Sequence, residues 1–300
     1  MSQFVNTAFV QQYSTNIMML LQQQGSRLRS AVMEYSFQGK AASVAEQFGQ
    51  VSPVKNQGRH SDTPLISTPQ DKRWIYPNDY DWADLIDQQD RLRMLIDPAG
   101  PYTMGGVWAM GRAMDDEIIN GMFGNCNTGE NGTNAVALPS SQIVAATVGS
   151  TGNTGLNVAK LRAAKKLLMQ AEIDLDTEQL FCGITATQHD NLLNEVQAIN
   201  LDYTDRPVLV EGRIRSFMGF NFIHTERIPG GLSYTGSIAT GGAYYVPCWA
   251  KSGVALGMWN DVNASVDKRP DKRNSWQVYV TGTFGGTRLE EKRFVQITCY

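Results

Sequence analysis

Hydrophobic residues recur mostly every three or four positions between Pro101 and Gly124, a stretch that has no proline inside it. This spacing places them on one face of an α-helix. The stripe consists of Met104, Val107, Trp108, Met114, Ile118 and Met122. Because Gly124 supplies a stop signal, we predict one helix over residues 101–124, about 36 Å long, on which other elements can pack.

Glycines and acidic residues add detail to this helix. Glycine stands at positions 105, 106, 111 and 121. Each costs about 1 kcal/mol relative to alanine, so the pattern predicts close contact with another backbone. The consecutive carboxylates of Asp115, Asp116 and Glu117 point in different directions on a helix. We therefore expect a solvated face or interface charges there, and no metal site.

Two different patterns precede the helix. Residues 2–24 carry no charge and place Phe9, Tyr13, Ile17 and Leu21 at intervals of four. They predict an amphipathic helix that packs either onto its own core or onto a neighbouring subunit. Residues 25–77 show short alternating segments, such as 31–37 and 51–54, separated by glycine and proline, which is typical of an extended two-stranded arm.

The arm has too few large apolar side chains to form a core, and an isolated hairpin is marginally stable in water. It is also locally basic. Two interpretations stay open for it: a solvated loop, or an arm that lies on acidic patches of neighbouring copies.

Helices and strands alternate after position 124. A loop with one strand (142–148) precedes a helix over 157–173 that has Lys160 on its polar side. A buried strand (181–184) and a short helix (188–196) follow. Further strands are predicted over 208–210, 214–223, 243–246, 253–257, 276–280 and 294–299. The chain is therefore α+β, without internal repeats.

Composition excludes several classes of protein. The hydrophobic fraction of 42% is that of a globular protein, and the charged fraction of 18% is below the usual quarter, which suits burial against other chains. A net charge of −3 provides no basic field, so contact with nucleic acid would be local and nonspecific. Neither a secretory signal nor a membrane span is apparent, and synthesis in a reducing cytoplasm is expected.

Residues that could perform chemistry are scattered. The four cysteines lack metal-ligand spacing and are expected to be reduced thiols, and the histidines His60, His189 and His224 stand alone. The glycine-rich run 149–155 precedes a helix but lacks the GK[ST] ending of a phosphate loop, so a flexible loop is predicted. We predict no catalytic residue, no cofactor and no metal.

The order of these elements resembles that of the major capsid proteins of tailed bacteriophages, which share the Hong Kong 97 fold. Local sequence agrees: residues 111–121 (GRAMDDEIING) resemble the end of the family's spine helix. Residues 212–214 and 217–223 resemble a strand region of its axial domain, and residues 285–297 resemble the return to its peripheral domain.

The resemblance implies five parts. They are an N-terminal arm (1–24), an extended β-hairpin loop (25–77), a peripheral domain with the spine helix (78–134), an axial α/β domain (135–246) and a return to the peripheral sheet (247–300). It also implies hexamers and pentamers that form an icosahedral shell around double-stranded DNA in a virion. Portal protein and scaffold or decoration proteins are then expected partners, and no membrane is involved.

Candidate inter-subunit residues on this basis are Arg29, Lys40, Lys55, Arg59, Arg73, Asp115 and Glu117. Some members of the family crosslink an arm lysine to an asparagine of a neighbour. Lys40 and Lys55 could serve, or they could be ordinary arm charges. The alternatives are an encapsulin-like compartment shell, a phage tail or connector protein, and an enzyme with an unrecognised site.

Overall fold

The structure, a computed structural model, describes residues 20, 22–55, 58, 62–63, 65–87, 99–195, 209–210, 213–231 and 242–300. The predicted helix over 2–24 lies almost entirely outside these residues. The described helices are α1 (Ala99–Phe123), α2 (Val158–Gln170) and α3 (Ala186–Leu193). All three were expected from the apolar periodicity, with boundaries that differ by a few residues.

Sixteen strands occur in the described residues, and most belong to three sheets. They are β1 (Met33–Ser36), β2 (Ala42–Phe48), β3 (Gln70–Ile75), β4 (Asn78–Ile86), β5 (Cys126–Thr128), β6 (Asn134–Val136), β7 (Ile143–Val144), β8 (Leu180–Ile184), β9 (Leu209–Val210), β10 (Arg213–Ile214), β11 (Ser216–Phe217), β12 (Phe220–His224), β13 (Tyr244–Ala250), β14 (Val254–Arg269), β15 (Ser275–Arg288) and β16 (Phe294–Cys299). The sheet orders are β1-β14-β15-β4, β2-β3-β5-β6 and β11-β12-β8-β13-β16-β7, and β9 and β10 form a separate pair.

The long helix α1 packs on the first sheet through glycines. A Cβ atom added at Gly121 would lie 2.5 Å from the carbonyl carbon of Gly286 in β15, and one added at Gly111 would lie 2.5 Å from that of Gly25. At Gly106 the neighbour is the ring of Trp82, at 2.6 Å. The backbone contacts predicted for the helical glycines are thus confirmed at positions 111 and 121.

The apolar stripe of α1 is only half buried. Met114, Ile118 and Met122 are inaccessible to solvent, whereas Met104 is 51% exposed and Val107 is 37% exposed. In its second half the helix is covered on more than one side, because residues 25–28 pack against it as well as β15. The prediction of a single buried face is therefore wrong: the first half of the helix is partly exposed along its stripe, and the second half is buried on more than one side.

Arg288, at the end of β15, closes the C-terminus of α1. Its fully buried guanidinium donates from Nη1 to the carbonyl oxygens of Met122 at 2.5 Å and Gly124 at 2.7 Å. These carbonyls belong to the helix end, where backbone acceptors lack partners and the macrodipole is negative. Gly124 therefore ends the helix together with a side chain 164 residues away.

The six-stranded sheet carries a second core. Trp249, Phe220 and Phe294 are fully buried in it. Its strand β16 lies between β13 and β7, so residues 294–299 do not return to the sheet of β14 and β15 as the resemblance implied. The physical reason is that β16 is buried almost throughout, which suits an interior strand covered on both faces.

The lysine predicted on the polar side of α2 is in fact buried. Lys160 Nζ donates to the carbonyl oxygens of Thr154 at 2.6 Å, Gly155 at 3.0 Å and Thr298 at 3.0 Å. Three acceptors satisfy the three ammonium protons, which makes burial of the charge tolerable. The end of the glycine-rich run is therefore tied to β16, contrary to the flexible loop expected there.

Two strand predictions also differ. The strand predicted over 142–148 is reduced to Ile143–Val144, and residues 51–54 form no strand. Residues 33–36, expected in the arm, pair instead with β14 in the first sheet. The predicted alternation was present in each segment, but pairing partners far along the chain decide which of them becomes a strand.

Glycine contacts give the first testable prediction. We expect Gly121→Ala to lower the free energy of unfolding by about 2–3 kcal/mol, because the added methyl group meets the backbone of β15. Helix propensity alone would give the opposite sign, a gain of about 1 kcal/mol. The measurement is urea denaturation of the purified chain followed by circular dichroism.

The matched control is Gly100→Ala in the same helix, where no atom lies within 4 Å of the added Cβ. This variant should be as stable as the unmodified chain or slightly more so. Equal changes in the free energy of unfolding for the two substitutions would show that α1 and β15 are not in close backbone contact at Gly121.

Candidate inter-subunit surface

The base of the arm is fixed to the body of the subunit. Strands β2 and β3 pair antiparallel, and β3 continues the sheet to β5. Arg73 Nη2 in β3 forms an ion pair with Glu291 Oε2 at 2.6 Å, and the side chain of Gln47 donates to the carbonyl oxygen of Leu289. Trp74 Nε1 donates to the carbonyl oxygen of Gly129 at 2.7 Å. These contacts hold both strands of the hairpin.

Beyond this base, the arm exposes apolar side chains. We call the described residues between Gly49 and Pro69 the arm tip; its two ends meet where the Gly49 N–H donates to the Pro69 carbonyl at 2.8 Å. Leu65 is fully exposed, and Phe48, at the edge of the tip, is 66% exposed. Val51, Val54 and Ile66 are exposed as well. Exposed apolar side chains grouped in one segment are typical of an interaction surface.

A second apolar surface lies on the first half of α1. It comprises Met104 and Val107, which lie three positions apart on one side of the helix and are both exposed, and we call it the helix patch. Leu85 of β4 and Val266 of β14 are exposed as well, near the far end of the long β14–β15 hairpin. The described body thus has apolar surfaces to which an arm tip could bind.

The basic residues predicted at the inter-subunit surface differ in exposure and in whether they have an ion-pair partner within the chain. Lys40 and Lys55 are exposed in the arm. Arg29 forms ion pairs with Glu34 at 3.0 Å and with Asp261 at 3.3 Å, both within the chain. Arg59 lies outside the described residues. Arg73 is only 4% exposed and bound to Glu291, so its assignment to an interface is wrong.

Asp115 was also predicted to face a neighbouring subunit, but it is fully buried inside its own chain. Its carboxylate accepts hydrogen bonds from Ser26 Oγ at 2.5 Å, from the Arg27 N–H at 3.0 and 3.2 Å and from the Leu28 N–H at 3.1 Å. Gln23 Nε2 is a fourth donor, at 2.5 Å. Burial raises the pKa of Asp115 above its ordinary value, although these donors act in the opposite direction. The role of Asp115 is to anchor residues 23–28.

The other two carboxylates of the run diverge, as helix geometry requires. Glu117 is 9% exposed and accepts from the Tyr80 hydroxyl at 2.5 Å. Burial and this carboxylate together raise the pKa of Tyr80. Asp116 forms an ion pair with Arg227. All three carboxylates therefore stabilise a single chain, and the expected solvated face is wrong for Asp115 and Glu117.

Other kinds of site receive little support in the described ranges. No group of three or more His, Cys, Asp or Glu side chains there is arranged to hold a metal ion. None of the helices α1 to α3 combines the length and apolar character needed to cross a membrane. All four cysteines are free thiols, and all are buried. His60 lies outside the described residues.

Comparison with protein families gives one match, to a family model described as phage capsid protein, over residues 5–300. No curated protein matches the chain in sequence.

Solved structures share the fold. The capsid structure of Cyanophage P-SCSP1u superposes with a TM-score of 0.77 at 13% identity, covering 99% of this chain and 94% of that one. The capsid of Cyanophage Pam1 gives 0.71 at 13% identity, with coverage of 100% and 99%. The capsid of a native GTA particle gives 0.72 at 12%, with 99% of both chains covered. The predicted Hong Kong 97-type α+β fold is confirmed by these similarities.

The anchor at Asp115 gives the second prediction. In Asp115→Asn one acceptor becomes an N–H donor that faces other donors, so we expect the free energy of unfolding to fall by about 3 kcal/mol. Hydrogen exchange should also lose protection specifically at the amides of Arg27 and Leu28. Both are measured on the purified chain.

Asp116→Asn is the control, because it removes one carboxylate from the next position of the same helix. Its partly exposed ion pair should contribute about 1 kcal/mol or less, with no change at residues 27 and 28. Unchanged exchange at those amides in Asp115→Asn would contradict the anchoring role.

Proposed function

Because the chain belongs to the phage capsid protein family, we propose that its copies assemble as hexamers and pentamers into the icosahedral head shell of a tailed phage. It is a structural protein of the capsid. The observation that carries the finer proposal is the arm, whose base is fixed to the subunit while its tip exposes apolar side chains.

The arm tip is proposed to lie on a neighbouring subunit. Leu65 is fully exposed and Phe48 is 66% exposed, although the base of the same hairpin is bound to the body of the subunit. The helix patch on the neighbour offers apolar surface of the same kind. Burial contributes about 25 cal/mol for each Å² of apolar area, so several such side chains per subunit can stabilise a shell.

The two exposed arm lysines have a secondary role in this proposal. Lys40 and Lys55 are exposed, and in this proposal they contact acidic groups of a neighbour. Such exposed pairs contribute about 1 kcal/mol or less each, so their main effect is on orientation and specificity. The apolar arm tip is the larger source of binding energy.

Further partners follow from the shell. Portal protein, scaffold or decoration proteins and packaged double-stranded DNA are proposed partners, and synthesis in the host cytoplasm is the proposed origin of the subunit. With a net charge of −3, the subunit would contact DNA locally and without sequence preference. We propose no enzymatic activity.

The alternatives make different particles. An encapsulin-like compartment would form closed shells without DNA, a tail or connector protein would form tubes or rings, and an enzyme would remain a small oligomer with turnover. Neither the family match nor any feature of the described residues favours these alternatives. Negative-stain electron microscopy of purified particles, with an assay for enclosed DNA, tests the proposal against them.

The arm tip gives the third prediction. We replace residues 50–68 by the short flexible linker Gly-Ser-Gly-Ser, because Gly49 and Pro69 are already adjacent and joined by a hydrogen bond. The base of the hairpin, with Gln47 and Arg73, is retained. This variant should fold and remain soluble but form no shells, as judged by circular dichroism, sedimentation velocity and electron microscopy.

A second variant keeps the arm at full length. Leu65→Ser combined with Ile66→Ser should reduce shell yield, whereas Met169→Ser should not, although Met169 is also exposed and apolar. Shells of normal size and yield from the shortened arm would refute its role in assembly.

A further inference from the structure

A pocket of about 550 Å³ lies apart from the arm and is lined by basic side chains. Its lining residues are Arg27, Ala186, His189, Arg213 and His224. They come from four separate parts of the chain: the segment before β1, the start of α3, β10 and the end of β12. The fold therefore brings together four basic groups that the sequence shows as isolated.

Neither arginine of the pocket is neutralised by a carboxylate in the described part of the chain. Arg27 Nη1 donates to the carbonyl oxygen of His224 at 2.7 Å and contacts His224 Nδ1 at 3.1 Å, and both partners are neutral acceptors. Arg213 is exposed and forms no ion pair with a described residue. Two full positive charges thus face one cavity.

Hydrogen bonds fix the tautomer of His189 and the orientation of His224. The Ile214 N–H donates to His189 Nε2 at 3.2 Å, which leaves Nδ1 as the nitrogen that carries the proton. His224 Nε2 lies 3.3 Å from Glu226 Oε1. Glu226 is also bound by the Ala186 N–H at 2.7 Å, so its charge is partly compensated by these two donors.

Both the backbone and the side chain of Arg27 are held by hydrogen bonds. Its backbone N–H is bound by the buried carboxylate of Asp115, and its side chain is bound by His224. A guanidinium held at both ends loses little conformational entropy when it binds a ligand. The site is therefore preorganised on this side.

We propose that this pocket binds a phosphate group. Arginine presents a planar fork of N–H donors that matches phosphate oxygens, and neither pocket arginine forms an ion pair with a carboxylate of the described residues. Donors enter from several elements, which suits the tetrahedral oxygens of phosphate better than the two coplanar oxygens of a side-chain carboxylate. The volume exceeds that of one phosphate ion and leaves room for an attached nucleoside.

The phosphate could be a free ion or part of a nucleic-acid backbone, and the experiment has one arm for each source. The purified, unassembled chain is titrated with inorganic phosphate and, separately, with a short oligothymidylate, by isothermal calorimetry at constant ionic strength. Chloride serves as the control anion. Binding of phosphate alone assigns a free ion, and binding of both ligands in competition assigns the backbone.

Arg213→Gln tests the site, and Arg215→Gln is its matched control, because both arginines are exposed but only Arg213 lines the pocket. We expect Arg213→Gln to weaken phosphate binding about tenfold or more, and Arg215→Gln to leave it unchanged. Melting temperatures of both variants should match the unmodified chain.

Three results would overturn the proposal. They are the absence of phosphate binding beyond that of chloride, equal weakening by the two substitutions, and normal phosphate binding in Arg213→Gln combined with loss of shell formation. The last result would assign the pocket to an acidic side chain of another copy.

Discussion

The structure depends on the contact between two backbones, where Gly121 of α1 meets Gly286 of β15. Because no side chain separates them, Arg288, two residues further along β15, can reach the end of the helix and bind its last carbonyls. On another side of the helix, Asp115 binds the backbone of residues 27 and 28, which lead into β1. One helix thereby fixes segments from both ends of the described chain.

Much of this architecture could be predicted from periodicity, because helices α1 and α2 and strands β8 and β16 have strong apolar patterns. The lengths of β14 and β15 could not. The second half of β14 is polar and mostly exposed, and the second half of β15 is rich in glycine and threonine, so the sequence indicated only 253–257 and 276–280 where the strands run over Val254–Arg269 and Ser275–Arg288. These segments are strands because each pairs with a neighbouring strand, β14 with β15 and β15 with both β14 and β4, which is a non-local effect.

The sequence was also a poor guide to which charged residues lie on the surface. Charge in the sequence identified Lys40 and Lys55 as exposed, yet it also suggested Arg73 and Asp115, which are buried. The partner of Arg73 is 218 residues away, and the donors to Asp115 are 87 to 92 residues away. Nothing local distinguishes a charge that meets a partner in its own chain from one that meets a second chain.

The division of the arm into a fixed base and an exposed tip has a consequence for how particles grow. If the tip binds a neighbouring subunit as proposed, ordering it there costs conformational entropy, which makes each single attachment weaker and more easily reversed. Subunits that join in the wrong place are then expected to leave before the surface closes around them. Growth should also begin only above a threshold concentration. In a dimer few arm tips have a partner to bind, whereas in a closed shell every tip has one.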